Sequence, residues 1–262
     1  AEKRPYRSHE PRGEDGPEVS DYRRMTALID IGPEQWYAVD IFRVTGGSEH
    51  LQSWHGGYTP VDADIQGVDL TEQETGTLAG PDIDYGERYS DASGQERWDP
   101  YCHLHSVARG PMRQPASVDF DYDTDDNLHM RLNFVPTAET DLITARGGAP
   151  ITPEKEVLQW ALPAREGDQG LQSQFVTVLE AYTGERFLGH IRRLPVRSVG
   201  ESPYSPIALE INVPGGRDII LANPEETASL MGEDFALTGK FGLIRERGGE
   251  VVSMKLFAGS ML

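Results

Sequence analysis

The chain is 262 residues long and carries 43 acidic against 24 basic side chains, a formal net charge of −19. Such a charge repels nucleic acid and anionic membrane surfaces. No run of about 18 apolar residues is present to span a bilayer, and Cys102, the single cysteine, has no partner for a disulfide within the chain.

Residues 1–20 are polar and rich in Pro, Gly and charge, and read as a flexible arm or linker. Arg23 to Ile31 reads as a strand, Gly32-Pro33-Glu34-Gln35 as a turn, and Trp36 to Val44 as the return strand of a hairpin. The return strand is apolar on both alternating faces, with Trp36, Ala38, Phe42 and Val44 on one and Tyr37, Val39 and Ile41 on the other. A strand of that kind is covered on both faces, so Asp40 and Arg43 are charges set into an inner strand and need partners. The pair Gly46-Gly47 marks a turn or bulge, and a second strand follows with His50 near its start and His55 at its end.

Gly56 to Gly94 is long, acidic and turn-rich, a length of loop associated with function or mobility. Ser117 to Val135 reads as a hairpin: Val118, Phe120 and Tyr122 alternate with Asp119, Asp121 and Asp123. After the turn, Leu128, Met130, Leu132 and Phe134 alternate with His129, Arg131 and Asn133. That alternation implies one wet face, with Asp paired across the strands to His129 or Arg131. Thr152 to Leu162 is compatible with a short helix, and Pro224 to Met231 with one or two helical turns. Ser173 to Tyr182, Gly189 to Val196, Ile207 to Val213 and Arg217 to Ala222 read as strands, and Lys240 to Arg245 with Glu250 to Phe257 as a last hairpin around Gly248-Gly249. Strands at short spacing with turn signals imply an all-β antiparallel sandwich over 21–262, with short helical turns.

Three groupings bear on chemistry. The odd spacing of His50 and His55 puts them on opposite sides of a regular strand, so they share a site only across a bulge or a strand end. His103 and His105 share one strand face, but zinc needs about three protein ligands and no acidic residue follows at a telling distance. The run Asp119, Asp121, Asp123, Asp125 and Asp126 lacks the Gly and Glu of a calcium loop, since those places hold Thr124 and Met130, and a hairpin accounts for it better.

The stretch Asp40-Ile41-Phe42-Arg43-Val44, then Gly46, Gly47 and His50, then His55-Gly56, resembles a segment of the heparinase II/III-like polysaccharide lyases. Arg23-Arg24, Ala27 to Ile31, Gly76 to Gly80 and Ser173 to Glu180 extend the resemblance in the same order. The chain departs from the family where Leu51 and Gln52 replace the Asp-Tyr that often follows the first histidine.

The resemblance implies a supersandwich-like β-sandwich, the C-terminal portion of a secreted or periplasmic lyase. It further implies an N-terminal α/α toroid absent from this chain and an acidic polysaccharide as substrate; some members of the family also hold zinc, which leaves the cofactor of the complete protein open. β-Elimination on a uronate needs a neutralised carboxylate, a base for the C5 proton and an acid for the leaving O4. On this resemblance Arg43 would screen the carboxylate, His50 or His55 would contact substrate or move a proton, and Asp40 would orient a basic neighbour. Trp54 and Tyr37 would contact substrate, and Trp36, Tyr37 and Trp54 would form an apolar surface against which the partner domain packs. The net charge of −19 opposes such a substrate unless a local basic patch faces it, for which His50, His55, His103, His105, Arg109 and Arg113 are the candidates. The rival reading is a non-catalytic carbohydrate-binding or structural sandwich of the same fold.

Overall fold

The computed structural model describes residues 19–57, 62–90, 94–122, 124, 126–148, 158–200 and 202–262. The protein is all-β and antiparallel, with one short 3-10 turn, Pro100–His103, among the described residues. It divides into two compact units, one formed by residues 19–27 and 39–184, the other by 28–38 and 185–262.

The strands of the first unit are, in chain order, β1 (Asp21–Gly32), β2 (Gln35–Thr45), β3 (Glu49–Leu51), β4 (Trp54–His55), β5 (Asp62–Gln66), β6 (Thr71–Glu72), β7 (Arg88–Ser90), β8 (Glu96–Trp98), β9 (Leu104–Pro111), β10 (Ala116–Asp121), β11 (Leu128–Phe134), β12 (Asp141–Gly147), β13 (Leu158–Glu166) and β14 (Gln172–Thr183). The Leu28–Ala38 end of the β1–β2 hairpin belongs to the second unit. One sheet runs β1-β2-β14-β11-β10-β5 and another β3-β13-β12-β9-β6, with β4 also on β13; β7 and β8 pair with each other.

The two large sheets face each other across a core of Val118, Phe120, Leu132 and Phe134 from the first and Leu142 and Ala161 from the second. Alternation along each strand supplies this face, as the hairpin pattern of β10 and β11 requires. The outer face of the second sheet is also apolar, with Leu104, Ile143, Ala145 and Leu162, and Leu78 and Tyr101 from the long 67–103 connection pack on it. That connection is laced to β9 through Leu78 N–H to Leu104 O and Gln73 N–H to Val107 O. It is a cover for an apolar face.

Several local expectations change. The residues 158–162 are strand β13, because Leu158, Ala161, Leu162 and Ala164 are buried at sheet positions; 152–157 lie outside the described residues, as do 1–18 with most of the arm. The 229–231 part of the second helical segment is a strand paired with Leu237 and its neighbours. Asp119 and Arg131 are register partners as the alternation implies. Their face is not wet: Ser117, Asp119, Arg131 and Asn133 are all buried.

The second unit contains β15 (Ile191–Arg193), β16 (Arg197–Val199), β17 (Ile207–Val213), β18 (Gly216–Ala222), β19 (Ser229–Met231), β20 (Ala236–Arg247) and β21 (Glu250–Met261). β18 pairs with residues 241–247 of β20 and β19 with residues 236–238, while β17 and β15 continue beyond β18 and β16 lies on β19. Only Leu194-Pro195-Val196 joins β15 to β16, a span of at most about 14 Å, so these outer strands must curl toward one another. Ala208, Ile219, Leu221, Leu230, Leu237 and Ile244 fill the space enclosed.

Tyr37 anchors the hairpin end within this unit. It is fully buried and donates its hydroxyl to Asp218 Oδ2 at 2.9 Å. Asp218 also receives Arg245 at 2.8 and 2.6 Å, and Arg245 donates to Asp30 O. Burial, followed by the charge of Asp218, pushes the Tyr37 phenol well above its usual range. Replacing Tyr37 by Phe removes one buried hydrogen bond and is expected to cost about 1–2 kcal/mol. Asp218→Ala strands the tyrosine hydroxyl and the guanidinium, at a cost of roughly 3–5 kcal/mol. Urea unfolding of the two variants checks both the size and the order of these losses.

Candidate functional site

All eight residues from Tyr37 to Val44 on β2 are buried, so both charges on that strand find their partners inside the protein. Asp40 is 2% exposed and accepts three hydrogen bonds. Arg24 Nε and Thr26 Oγ1 reach its Oδ2 from β1, each at 2.7 Å, and Gln52 Nε2 reaches its Oδ1 at 2.7 Å from the segment between β3 and β4. Thr177 Oγ1 in β14 then donates to Gln52 Oε1 at 3.2 Å. Gln52 thus has a structural role, because it reads Asp40 with its amide N–H and Thr177 with its carbonyl.

Arg24 is the outward end of this network. Its side chain is 51% exposed, and its guanidinium lies 5.1 Å from the centre of the Trp54 ring. The carboxylate beneath and the indole alongside fix the fork while leaving part of it open, a disposition suited to a further anion. The basic side chain that Asp40 holds is Arg24, a residue that the strand pattern marked only as part of β1. Its importance depends on the pairing of β1 with β2.

Arg43 is buried and donates from Nε to Gln174 Oε1 at 2.6 Å, away from any surface where a uronate could meet it. His50 is 8% exposed. Its Nε2 lies 2.5 Å from Gly46 O, and a carbonyl only accepts, so Nε2 carries the proton. Nδ1 is then the acceptor for Ser173 Oγ at 2.7 Å, and Ser173 Oγ in turn receives Arg165 NH1 at 3.3 Å. Both imidazole nitrogens are occupied, and Ser173 is fully buried. Desolvation pushes the pKa of His50 below the ordinary histidine value, more than the Gly46 carbonyl raises it. This histidine holds the turn at Gly46-Gly47, whose φ angles of 117° and 74° favour glycine, against β14.

His55 is exposed. Its Nδ1 donates to Gly56 O at 2.7 Å, leaving Nε2 as the acceptor of the neutral ring, and the ring tilts against Trp160 at 4.8 Å. His50 pairs with Arg165 and His55 with Trp160 along β13. Five residues of strand separate them by about 16 Å, and the odd interval places them on opposite faces. The two histidines therefore do not form one site.

Tyr37 is in the second unit and fully buried, so it does not present a surface to sugar. Trp54 packs against the sandwich core, while Trp36 is 37% exposed. The candidate basic patch also disperses. Arg109 is held by Asp141 at 2.6 Å and Glu166 at 2.7 Å, and His50 is inside. His103 ends the 3-10 turn and His105 is the second residue of β9; they meet Tyr85 edge-on, with centroids 5.4 and 5.6 Å away. Among the described residues no group of three or more His, Cys, Asp or Glu side chains is placed to hold a metal, so no zinc chemistry is assigned to them.

A second buried polar network lies on β10, β11 and β14. Asp119 receives Arg131 NH1 at 3.0 Å and Tyr182 Oη at 2.6 Å on one oxygen, and faces His129 Nδ1 at 3.2 Å with the other. The His129 ring stacks on Tyr182 at 4.8 Å, and Arg131 NH2 also reaches Gln66 and Ser117. The sequence marks the Asp–Arg pair, but the tyrosine joins it only through the pairing of β11 with β14.

The depressed pKa of His50 has a sign that can be measured. The unfolded chain takes up the proton near the ordinary histidine value of 6.5 while the folded chain resists it. Stability from this residue is therefore complete above about pH 6.5 and declines as pH falls below it. Denaturant titrations across that range should show a shallower acid-side decline for His50→Gln than for the parent chain. Identical slopes would remove His50 as the group responsible.

No protein-family model matches the chain, and no curated protein matches its sequence.

Proposed function

We propose that this chain is the β-sandwich portion of a heparinase II/III-like polysaccharide lyase, acting on uronic-acid polysaccharides together with an α/α toroid and not a complete catalyst alone. The observation that carries this reading is Arg24: a half-exposed guanidinium seated on buried Asp40 and flanked by Trp54, beside the strand whose sequence resembles the family. A fixed fork of this kind suits a sugar carboxylate. The base and acid that β-elimination also needs are not gathered beside it. His50 is enclosed, and Tyr37 is buried with its phenol pKa raised. His55 is an exposed imidazole with an acceptor nitrogen beside Trp54 in the chain, and it is the proton-handling residue we assign to this portion.

The second reading, a carbohydrate-binding sandwich without bond cleavage, draws on the same dispersal of the histidines. Both readings place the protein outside the cell, in a secreted or periplasmic setting. Incubating the chain with a panel of acidic polysaccharides, with and without zinc, and following ultraviolet absorbance of unsaturated uronate separates them. A flat trace is expected for the chain alone and a rising one when the upstream helical region is supplied. In the active combination, Arg24→Ala should raise KM about tenfold or more, the loss of one charge-assisted contact, with a smaller effect on kcat. A flat trace from both preparations would sink the lyase reading in favour of the binding one.

A further inference from the structure

The longest exposed apolar feature among the described residues is β21, EVVSMKLFAGSM. Val251, Val252, Met254, Leu256, Phe257 and Met261 are each between 40% and 66% exposed. The strand pairs with β20 on one side, using the same residues, 241–247, that bond to β18 on the other. None of the described residues pairs with its outer edge. A strand of 12 residues with an open edge and apolar side chains on both faces is a template for another strand. It contains no proline and a single lysine, Lys255.

We infer that this edge is the contact surface for a second copy of the chain, joined antiparallel through β21. Three observations favour a second copy. Residues 1–18 contain no Val, Ile, Leu, Met, Phe or Trp and are poorly suited to cover the strand. The strand carries one Glu and one Lys, so it is neutral within a chain of net charge −19, and it is where two copies meet without repulsion. Its charges are also self-complementary once the bulge is taken into account. Glu250 and Val251 lie opposite Arg247 and Glu246, but Ser253, Met254 and Lys255 lie opposite Arg245, Ile244 and Leu243, so Val252 is the extra residue. The bulge puts Glu250, Ser253 and Lys255 on one face of the sheet.

A twofold axis perpendicular to the sheet, as an antiparallel edge-to-edge dimer requires, passes between two copies of Ser253. It sets Glu250 of each copy opposite Lys255 of the other, and Val251 opposite Met254. In this register residues 250–255 of the two copies run side by side, so Val251, Val252 and Met254 are the exposed apolar side chains that meet along the seam. The contact is isologous and closes on itself. It rests on the second unit alone and is independent of the lyase reading.

Sedimentation equilibrium of the full chain over a range of concentrations tests the pairing. The expected mass is twice that of one chain at the upper end. Glu250→Lys should shift the population to the single-chain mass, because it sets two lysines face to face. The double variant Glu250→Lys/Lys255→Glu should restore the dimer, because it re-forms each pair with its signs exchanged. Ser253→Cys should cross-link two copies on mild oxidation. Each of these side chains is on the open strand, and circular dichroism reports whether the variants keep their fold. A single-chain mass for the parent at every concentration overturns the inference. So does a Glu250→Lys variant that dimerises like the parent, or a double variant that stays at the single-chain mass.

Discussion

A carboxylate buried in the middle of β2 obliges separate stretches of chain to converge. Asp40 is almost out of contact with water, and an unpaired charge there would cost several kcal/mol. Arg24 and Thr26 of β1 and Gln52 beyond β3 all turn toward it, and Gln52 carries the linkage on to Thr177 of β14. Because all three donors are satisfied by one group, the hairpin, the segment after the glycine turn and the central strand β14 are held in one arrangement. The exposed half of Arg24 is the part of that arrangement which faces outward.

The same rule governs the other polar groups of the interior. Asp119 is met by arginine and tyrosine, Asp218 by arginine and tyrosine, and His50 by a carbonyl and a hydroxyl. Each set draws its members from strands distant in sequence. Such networks specify one packing of a β protein whose apolar residues alone would tolerate others. They also consume side chains that a motif would assign to chemistry. A histidine with both nitrogens engaged and its neutral form favoured is better suited to holding a turn than to moving a proton.

Between the two units the treatment of strand edges differs. In the first, β5 contributes Asp64 and Gln66 at the margin of its sheet, and β6 is two residues long, devices that discourage further pairing. In the second, β21 is long, neutral and apolar. The sequence rule that makes β2 an inner strand applies equally to VVSMKLF, and only β2 is covered by the chain itself.

Local sequence determined the all-β class, the β1–β2 and β10–β11 hairpins, the need for partners at Asp40 and Arg43, and the opposite facing of His50 and His55. Each follows from alternation and turn chemistry within a few residues. Which partners were chosen was decided by tertiary structure. Arg24 becomes the outward cation because β1 lies beside β2, and Arg43 is withdrawn because Gln174 of β14 lies beside it. The face of Asp119 and Arg131 reads as wet from its polar residues, yet it is buried, because alternation gives the chemistry of a face and not what lies over it. The segment at 158–162 misleads for a related reason. A short apolar run has no period of its own, and its pairing with β12 made it a strand.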